Sequence, residues 1–308
     1  MKIHDYEAIV DLAMTRPGRQ TMRPVVEKEI LHYDIFAALD KENLLSDLVF
    51  QGGTSLRLCW QSNRFSEDLY FAGGRDFDVK KFVAIKNAIE THIGERYRLL
   101  VNVKEPKQLA EESDALNIQV NKWQVSVETS PGERNLPRQK IKIEIANVPA
   151  YTEELRPILQ NYDFLSGYGG NILVRVETLN EIMADKVLAF PATVKIIRYR
   201  DIWDLAFLTQ RGATLDPALV IKKINDYGTQ NYEALLIKTI QTLPEVIRSK
   251  NFLDQMKRFI DSETLQNTIE KEGFLPYLES TVVGIFNQML KAMDSSPNDS
   301  DDVPTYKM

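Results

Sequence analysis

The sequence predicts an α+β protein: an N-terminal part with a mixed or antiparallel sheet flanked by helices, then an α-helical C-terminal part. Three patterns carry this. A short apolar run, Leu48-Val49-Phe50, stops at Gly52-Gly53 and leads into a helix-like stretch. Lys140-Ile141-Lys142-Ile143-Glu144-Ile145 alternates strictly, as a strand with one buried face does. Beyond Ile172-Leu173-Val174-Arg175, apolar residues recur at helical spacing almost to the end of the chain.

Along the chain, Val25, Val26, Ile30, Leu31, Ile35, Phe36 and Leu39 make an amphipathic helix over 24–40. The Leu48–Phe50 run is a strand, the glycines a turn, and Thr54 or Ser55 a cap for a short helix holding Leu56, Leu58 and Trp60. In Arg64-Phe65-Ser66-Glu67-Asp68-Leu69-Tyr70-Phe71, Leu69 and Phe71 share one strand face, Asp68 and Tyr70 the other. A helix is expected around 78–94, strands at 97–103 and 120–128, and a polar loop at 130–138 before the alternating strand. Helices are expected over 178–190, 201–209, 216–225, 231–247, 252–260 and 276–292. The cluster Gly167, Gly169, Gly170 marks a boundary, giving units at 1–170 and 171–293 and a disordered acidic tail at 294–308.

The 308 residues suffice for two modest domains, and 44% hydrophobic with 27% charged residues describes an ordinary globular chain. The single Cys59 excludes an internal disulfide and is a core residue in its apolar helix. His4, His32 and His92 lack ligand spacing, which argues against a zinc site. No apolar run approaches the ~20 residues that span a bilayer, and Met1-Lys2-Ile3-His4-Asp5 carries no signal-peptide core, so a cytoplasmic protein is expected. A net charge of −6 argues against non-specific coating of nucleic acid, which Lys and Arg carry. It leaves room for a local basic groove.

Three blocks could carry chemistry. A strand running into Gly52-Gly53 and a helix start offers backbone N–H groups to a triphosphate, with a hydroxyl from Thr54 or Ser55; a plain turn is the alternative. Asp68 and Glu144 occupy the polar faces of two strands, where carboxylates hold Mg²⁺ for phosphoryl or nucleotidyl transfer; simple solvent exposure is the alternative. Lys186 falls mid-way along an apolar helix face, between Ile182 and Met183 before and Ala189 and Phe190 after. It must snorkel or find an anion. Asp201 and Asp204, at i and i+3, repel unless a cation such as Lys186, Arg198 or Arg200 lies close. The alternatives are an interdomain salt bridge or a lysine reaching the phosphates.

Taken in order, Val26-Glu27-Lys28-Glu29, Gln51-Gly52-Gly53-Thr54-Ser55-Leu56, Arg64-Phe65-Ser66-Glu67-Asp68-Leu69, Glu144, Glu181 to Lys186, and Arg200-Asp201-Ile202-Trp203-Asp204-Leu205 resemble the AbiE-type nucleotidyltransferase toxins. These belong to the polymerase-β-like nucleotidyltransferase superfamily, and the mycobacterial MenT toxins are relatives. The resemblance spans roughly residues 22–210. It implies that Gly52 and Gly53, with Thr54 or Ser55, hold an NTP's phosphates, that Asp68 and Glu144 ligate Mg²⁺, and that Lys186 with Asp201 or Asp204 completes the site. Arg64 and Ser66 would shape the strand entry. It further implies an antitoxin encoded alongside and, for some such toxins, tRNA as acceptor.

One position departs. The resemblance calls for a second carboxylate two residues after Asp68, and Tyr70 stands there. A phenol with a pKa of ~10 is a poor Mg²⁺ ligand. Three accounts are open: an inactivating substitution, a natural non-catalytic protein, or a single metal held by Asp68 and Glu144. A non-catalytic nucleotide-, RNA- or antitoxin-binding module and a γ-phosphate transferase remain as rival functions.

Overall fold

The computed structural model describes residues 5–107, 118–131, 137–165 and 172–295. Among them a seven-stranded mixed sheet runs in the order β3-β4-β5-β2-β1-β7-β6. The strands are β1 (Val49–Gln51), β2 (Leu69–Ala72), β3 (Val101–Lys104), β4 (Val120–Val127), β5 (Gln139–Ala146), β6 (Glu153–Pro157) and β7 (Leu173–Glu177). β1 pairs antiparallel with β2 and parallel with β7, and β2 runs parallel to β5. The expected mixed sheet is therefore present.

The alternation in β5 works as read. Ile141, Ile143 and Ile145 are buried, and Ile143 lies between Leu69 of β2 and Trp123 of β4. This face packs beneath α2 (Arg23–Lys41) and α4 (Ala84–Tyr97), with Phe36 of α2 edge-on to Phe50 and Phe71. The opposite face carries Gln51, Tyr70, Glu144 and Lys122 in one row across β1, β2, β5 and β4.

Four details differ from the sequence reading. The short helix α3 (Gly52–Cys59) begins at Gly52 with Gln51 at its cap position, so neither Thr54 nor Ser55 caps it. Gly52, at φ +81°, supplies the left-handed turn that lets the strand become a helix within one residue. The strand expected from residue 97 starts at Val101, because Tyr97 still belongs to α4 and Arg98, at φ +57°, closes that helix. Edge strand β6 carries no clear apolar alternation (Glu153-Glu154-Leu155-Arg156-Pro157) and is defined by its antiparallel pairing with β7. The glycine cluster at 167–170 and most of the expected tail lie outside the described residues, while Asp294 ends a helix.

The helical region comprises α5 (Leu179–Ala192), α6 (Tyr199–Gln210), α7 (Pro217–Asp226), α8 (Tyr232–Arg248), α9 (Lys250–Phe259), α10 (Ser262–Asn267) and α11 (Phe274–Asp294). Thr178 caps α5 by accepting from the Glu181 N–H at 3.3 Å, and Asp216, Ser249 and Asp261 cap α7, α9 and α10 likewise. Only α10 was not anticipated. One apolar core runs from Tyr6 to Met289 through both sheet and helices. The two regions also join by backbone, Phe65 N–H donating to Phe259 C=O at 2.8 Å.

The two faces of β5 make the assignment testable. Ile143→Ala should cost roughly 2–5 kcal/mol, whereas Lys140→Ala on the open face should stay within about 0.5 kcal/mol. The shift of the urea unfolding midpoint at constant slope measures both.

Candidate active site

A cleft of about 710 Å³ opens between the polar sheet face and helices α5 and α6. From the sheet side Gly52, Gly53, Arg64, Ser66, Tyr70 and Glu144 line it. From the helices come Lys186, Asp201 and Asp204, with Arg198 and Arg200. Most of the expected site thus converges, though it is drawn from segments more than 150 residues apart.

The floor is a buried ionic cluster. Arg64, 2% exposed, donates from Nε and Nη2 to the two oxygens of fully buried Asp204, each at 2.7 Å. This is the planar two-pronged geometry that a guanidinium favours with a carboxylate. Lys186 lies 2.7 Å from Asp204 and 2.8 Å from Asp201, and Arg198 pairs with Asp201. The apolar helix face around Lys186 is thereby resolved: the ammonium meets two anions instead of snorkelling. Burial alone would raise the carboxyls of both aspartates. Arg64 and Lys186 hold Asp204 below the ordinary carboxylate range, and Lys186 and Arg198 do the same for Asp201. Counting Arg64, Lys186 and Arg198 against Asp201 and Asp204 leaves one positive charge, and Arg200, paired with Glu67 at 3.3 Å, stands beside it.

Gly53 makes this floor possible. A Cβ there would sit 2.4 Å from Arg64 Nη2 and 3.3 Å from Ser66 Oγ. A side chain here would push Arg64 Nη2 off Asp204, so glycine keeps the pair intact. Thr54 and Ser55 turn elsewhere. The Thr54 hydroxyl donates to Asp68 C=O and the Ser55 hydroxyl to Gly52 C=O, both are buried, and neither lines the cleft.

Tyr70 and Glu144 are direct neighbours across β2 and β5. Burial, then Asp68 and Glu144, raise the Tyr70 phenol well above its ordinary value, so it is neutral at physiological pH. Its ring lies against Gly52, 3.4 Å from where a Cβ would stand. Asp68 does not line the cleft. Its carboxylate accepts from the Lys142 N–H at 2.9 Å and lies 3.7 Å from the Lys142 ammonium. Glu144 is paired with Lys122 at 2.7 Å. Mg²⁺ asks for six oxygen ligands in tight octahedral geometry. Here two carboxylates, each already facing a lysine, flank a neutral phenol, and no group of three or more acidic or histidine side chains converges among the described residues. This donor set does not fit a resident Mg²⁺.

The sequence alternation places Lys142 on the polar face with Glu144 but does not show that it pairs with Asp68, and Lys122 is a partner of Glu144 that the sequence reading does not single out. Asp185, Tyr227 and Gln255, which also line the cleft, carry no local signal, since only packing brings them there.

The sequence profile described as "Nucleotidyl transferase AbiEii toxin, Type IV TA system" matches residues 34–275. The chain belongs to the AbiEii nucleotidyltransferase toxin family. Its fold is similar to that of MenT4, a nucleotidyltransferase toxin from Mycobacterium tuberculosis H37Rv, with 19% identity and a TM-score of 0.59 over 94% of this chain and 90% of that one. JHP933 from Helicobacter pylori matches more distantly, with 16% identity and a TM-score of 0.45 over 88% and 93% of the chains. No curated protein sequence matches. The AbiEii family implies an NTP substrate and a cognate antitoxin. Among the described residues no helix is long and apolar enough to cross a membrane.

Asp204→Asn should cost about 3–5 kcal/mol, because it strands Arg64 and Lys186 in a buried site; chemical denaturation measures it. Since Asp201 and Asp204 are held below their unfolded values, the unfolded chain binds more protons in acid. Their contribution is complete above about pH 4 and is lost progressively as pH falls through the lowered folded values. A series of melting temperatures from pH 6 to pH 2 should follow that course, and the Asp204→Asn protein should show a shallower fall.

Proposed function

We propose that this AbiEii-family chain holds an NTP in the cleft and is built to transfer a nucleotide from it to an acceptor of the tRNA class, with turnover suppressed by Tyr70. The observation that carries the reading is the side-chain-free Gly52-Gly53 turn set beside the cationic excess of Arg64, Lys186, Arg198 and Arg200. Backbone N–H groups at a helix start and fixed positive charge are what triphosphate oxygens require. On this reading Gly53 lets Arg64 form the floor, Ser66 faces the phosphates, and Lys186, positioned by Asp201 and Asp204, offers its ammonium to them.

Position 70 divides the binding half of the machinery from the metal half. An aspartate there would stand beside Glu144 and two residues from Asp68, adding a carboxylate that lines the cleft next to Glu144. Metal-assisted transfer belongs to that arrangement. As the chain stands, Tyr70 covers Gly52 and offers a neutral phenol. A cytoplasmic setting accords with the NTP and tRNA that the reaction consumes and with the free, buried Cys59. The antitoxin that the family implies would act on this toxin's cell, by direct contact or otherwise.

The test compares this chain with Tyr70→Asp, each incubated with Mg²⁺, total tRNA and one of four α-labelled NTPs, the RNA then resolved on a gel. A metal's charge stabilisation is worth several kcal/mol and each ~1.4 kcal/mol is tenfold, so labelling by Tyr70→Asp should exceed that by this chain roughly 10²-fold or more. Labelling by neither protein would overturn the transfer reading. Metal-independent NTP binding unchanged by Tyr70→Asp would then favour a non-catalytic binding module.

A further inference from the structure

The cleft has two chemically different ends. Beyond the row holding Tyr70 and Glu144, the next same-face row of the sheet is apolar: Val49 opposes Ala72, Ala72 opposes Ala146, and Ala146 opposes Val120. Two residues along a strand is about 6.6 Å, so this row runs a short step from the Tyr70 row. Val49, Ala72, Ala146 and Val148 form a small separate cluster on which Tyr227 packs. Val120, Ala146, Ile182, Tyr227 and Thr229 line the cleft there, and one carboxylate, Asp185, joins them.

Behind Asp185 is a second buried ionic group. The Lys223 ammonium lies 2.6 Å from Asp185 Oδ1, 2.8 Å from Glu181 and 3.6 Å from Glu177. Glu181 is fully occupied, accepting from the N–H groups of Tyr151 and Thr152 and from the Thr152 hydroxyl. Glu177 is wholly buried, no N–H or hydroxyl donates to its oxygens, and its carboxyl meets that of Asp185. Burial and then Asp185 raise its carboxyl, so it keeps a proton to higher pH than an ordinary glutamate. With that proton counted, three acids against one lysine still leave one negative charge. Asp185, 21% exposed, is the member that reaches the cleft. Its Oδ1 lies against Lys223, its carboxyl also meets that of Glu177, and the part of Asp185 that stays exposed borders the cleft.

A lysine anchored for structure alone needs no such excess. A carboxylate oxygen beside an aromatic ring and an apolar wall is a site for a flat group that donates N–H. We infer that Asp185 is a base-reading residue: its carboxylate accepts from the exocyclic amine of an NTP's base seated between the Val120–Ala146 row and Tyr227, with the phosphates at the Gly53 end. This rests on the reading of the cleft as an NTP site. It predicts that bases bearing an amine are favoured over those bearing a carbonyl at the same position.

Calorimetry on the full chain, without metal, tests it with inorganic tripolyphosphate and with two pairs that differ at that group, CTP against UTP and ATP against ITP. Tripolyphosphate should bind. In at least one pair the amine-bearing nucleotide should bind roughly tenfold or more tightly, as a hydrogen bond to a charged group implies. Asp185→Asn, whose amide can donate as well as accept, should close or invert that gap without altering tripolyphosphate affinity. Equal binding within both pairs, or a gap that survives Asp185→Asn, would overturn the inference while leaving the phosphate site standing. Failure of tripolyphosphate and every NTP to bind would overturn the NTP site itself. If Asp185→Asn does not fold, Asp185→Ser takes its place and is read by the same outcomes.

Discussion

Arg64 and Asp204 are 140 residues apart, and almost everything in the cleft follows from their meeting. A guanidinium with 2% exposure and a carboxylate with none can persist only if each satisfies the other, and the two-pronged pair does so. The segment entering β2 is thereby held against α6, with the polar sheet face turned toward α5. Glycine at 53 leaves room for Arg64, whose Nη2 occupies the space a Cβ would take. Lys186 is drawn inward because Asp204 still has an oxygen to share and Asp201 stands one turn away. Such a pair adds little stability over well-packed apolar residues; its effect is to permit only one arrangement of sheet on helices.

The same cluster sets the cleft's polarity. A chain with a net charge of −6 presents a positive glycine end of the cleft because the carboxylates near that end are either spent inside the cluster or tied to lysines on the sheet. Asp68 and Glu144 are in the second group. Tyr70 between them fits that state, since a neutral ring can lie on Gly52 beside anions that already have partners. The cationic floor and the sheet carboxylates of this AbiEii-family cleft are thus held by separate sets of partners.

Helix α5 acts as a partition. Asp185 and Lys186 are consecutive, so their side chains diverge by about 100° around the helix. Lys186 enters the Arg64 cluster, and Asp185 enters the group around Lys223. Each end of the cleft is therefore charged by its own buried network, positive toward the glycine turn and negative toward Tyr227. Thr178 and Glu181 fix the helix start, Glu181 through the loop at Tyr151 and Thr152. That loop, with β6, is the part of the sheet region that the sequence concealed.

What the sequence alone determined was local and periodic. Isoleucines alternating with lysine and glutamate settled the faces of β5, the double glycine marked a strand-to-helix turn, and helical spacing located six of the seven helices after β7. The ordered motifs identified the family. Edge strand β6 escaped because its glutamates and arginine show no alternation, and only pairing with β7 makes it a strand. The cap assigned to Thr54 or Ser55 failed because Gly52 can adopt a turn that other residues resist. Tertiary structure alone decided that Lys186 is buried between two aspartates, that Asp68 accepts from the Lys142 N–H, and that Asp185 and Tyr227 line the same cleft. Periodicity tells a residue which side of its own element it occupies. Which charge waits on the other side depends on chain segments that meet only when the core closes.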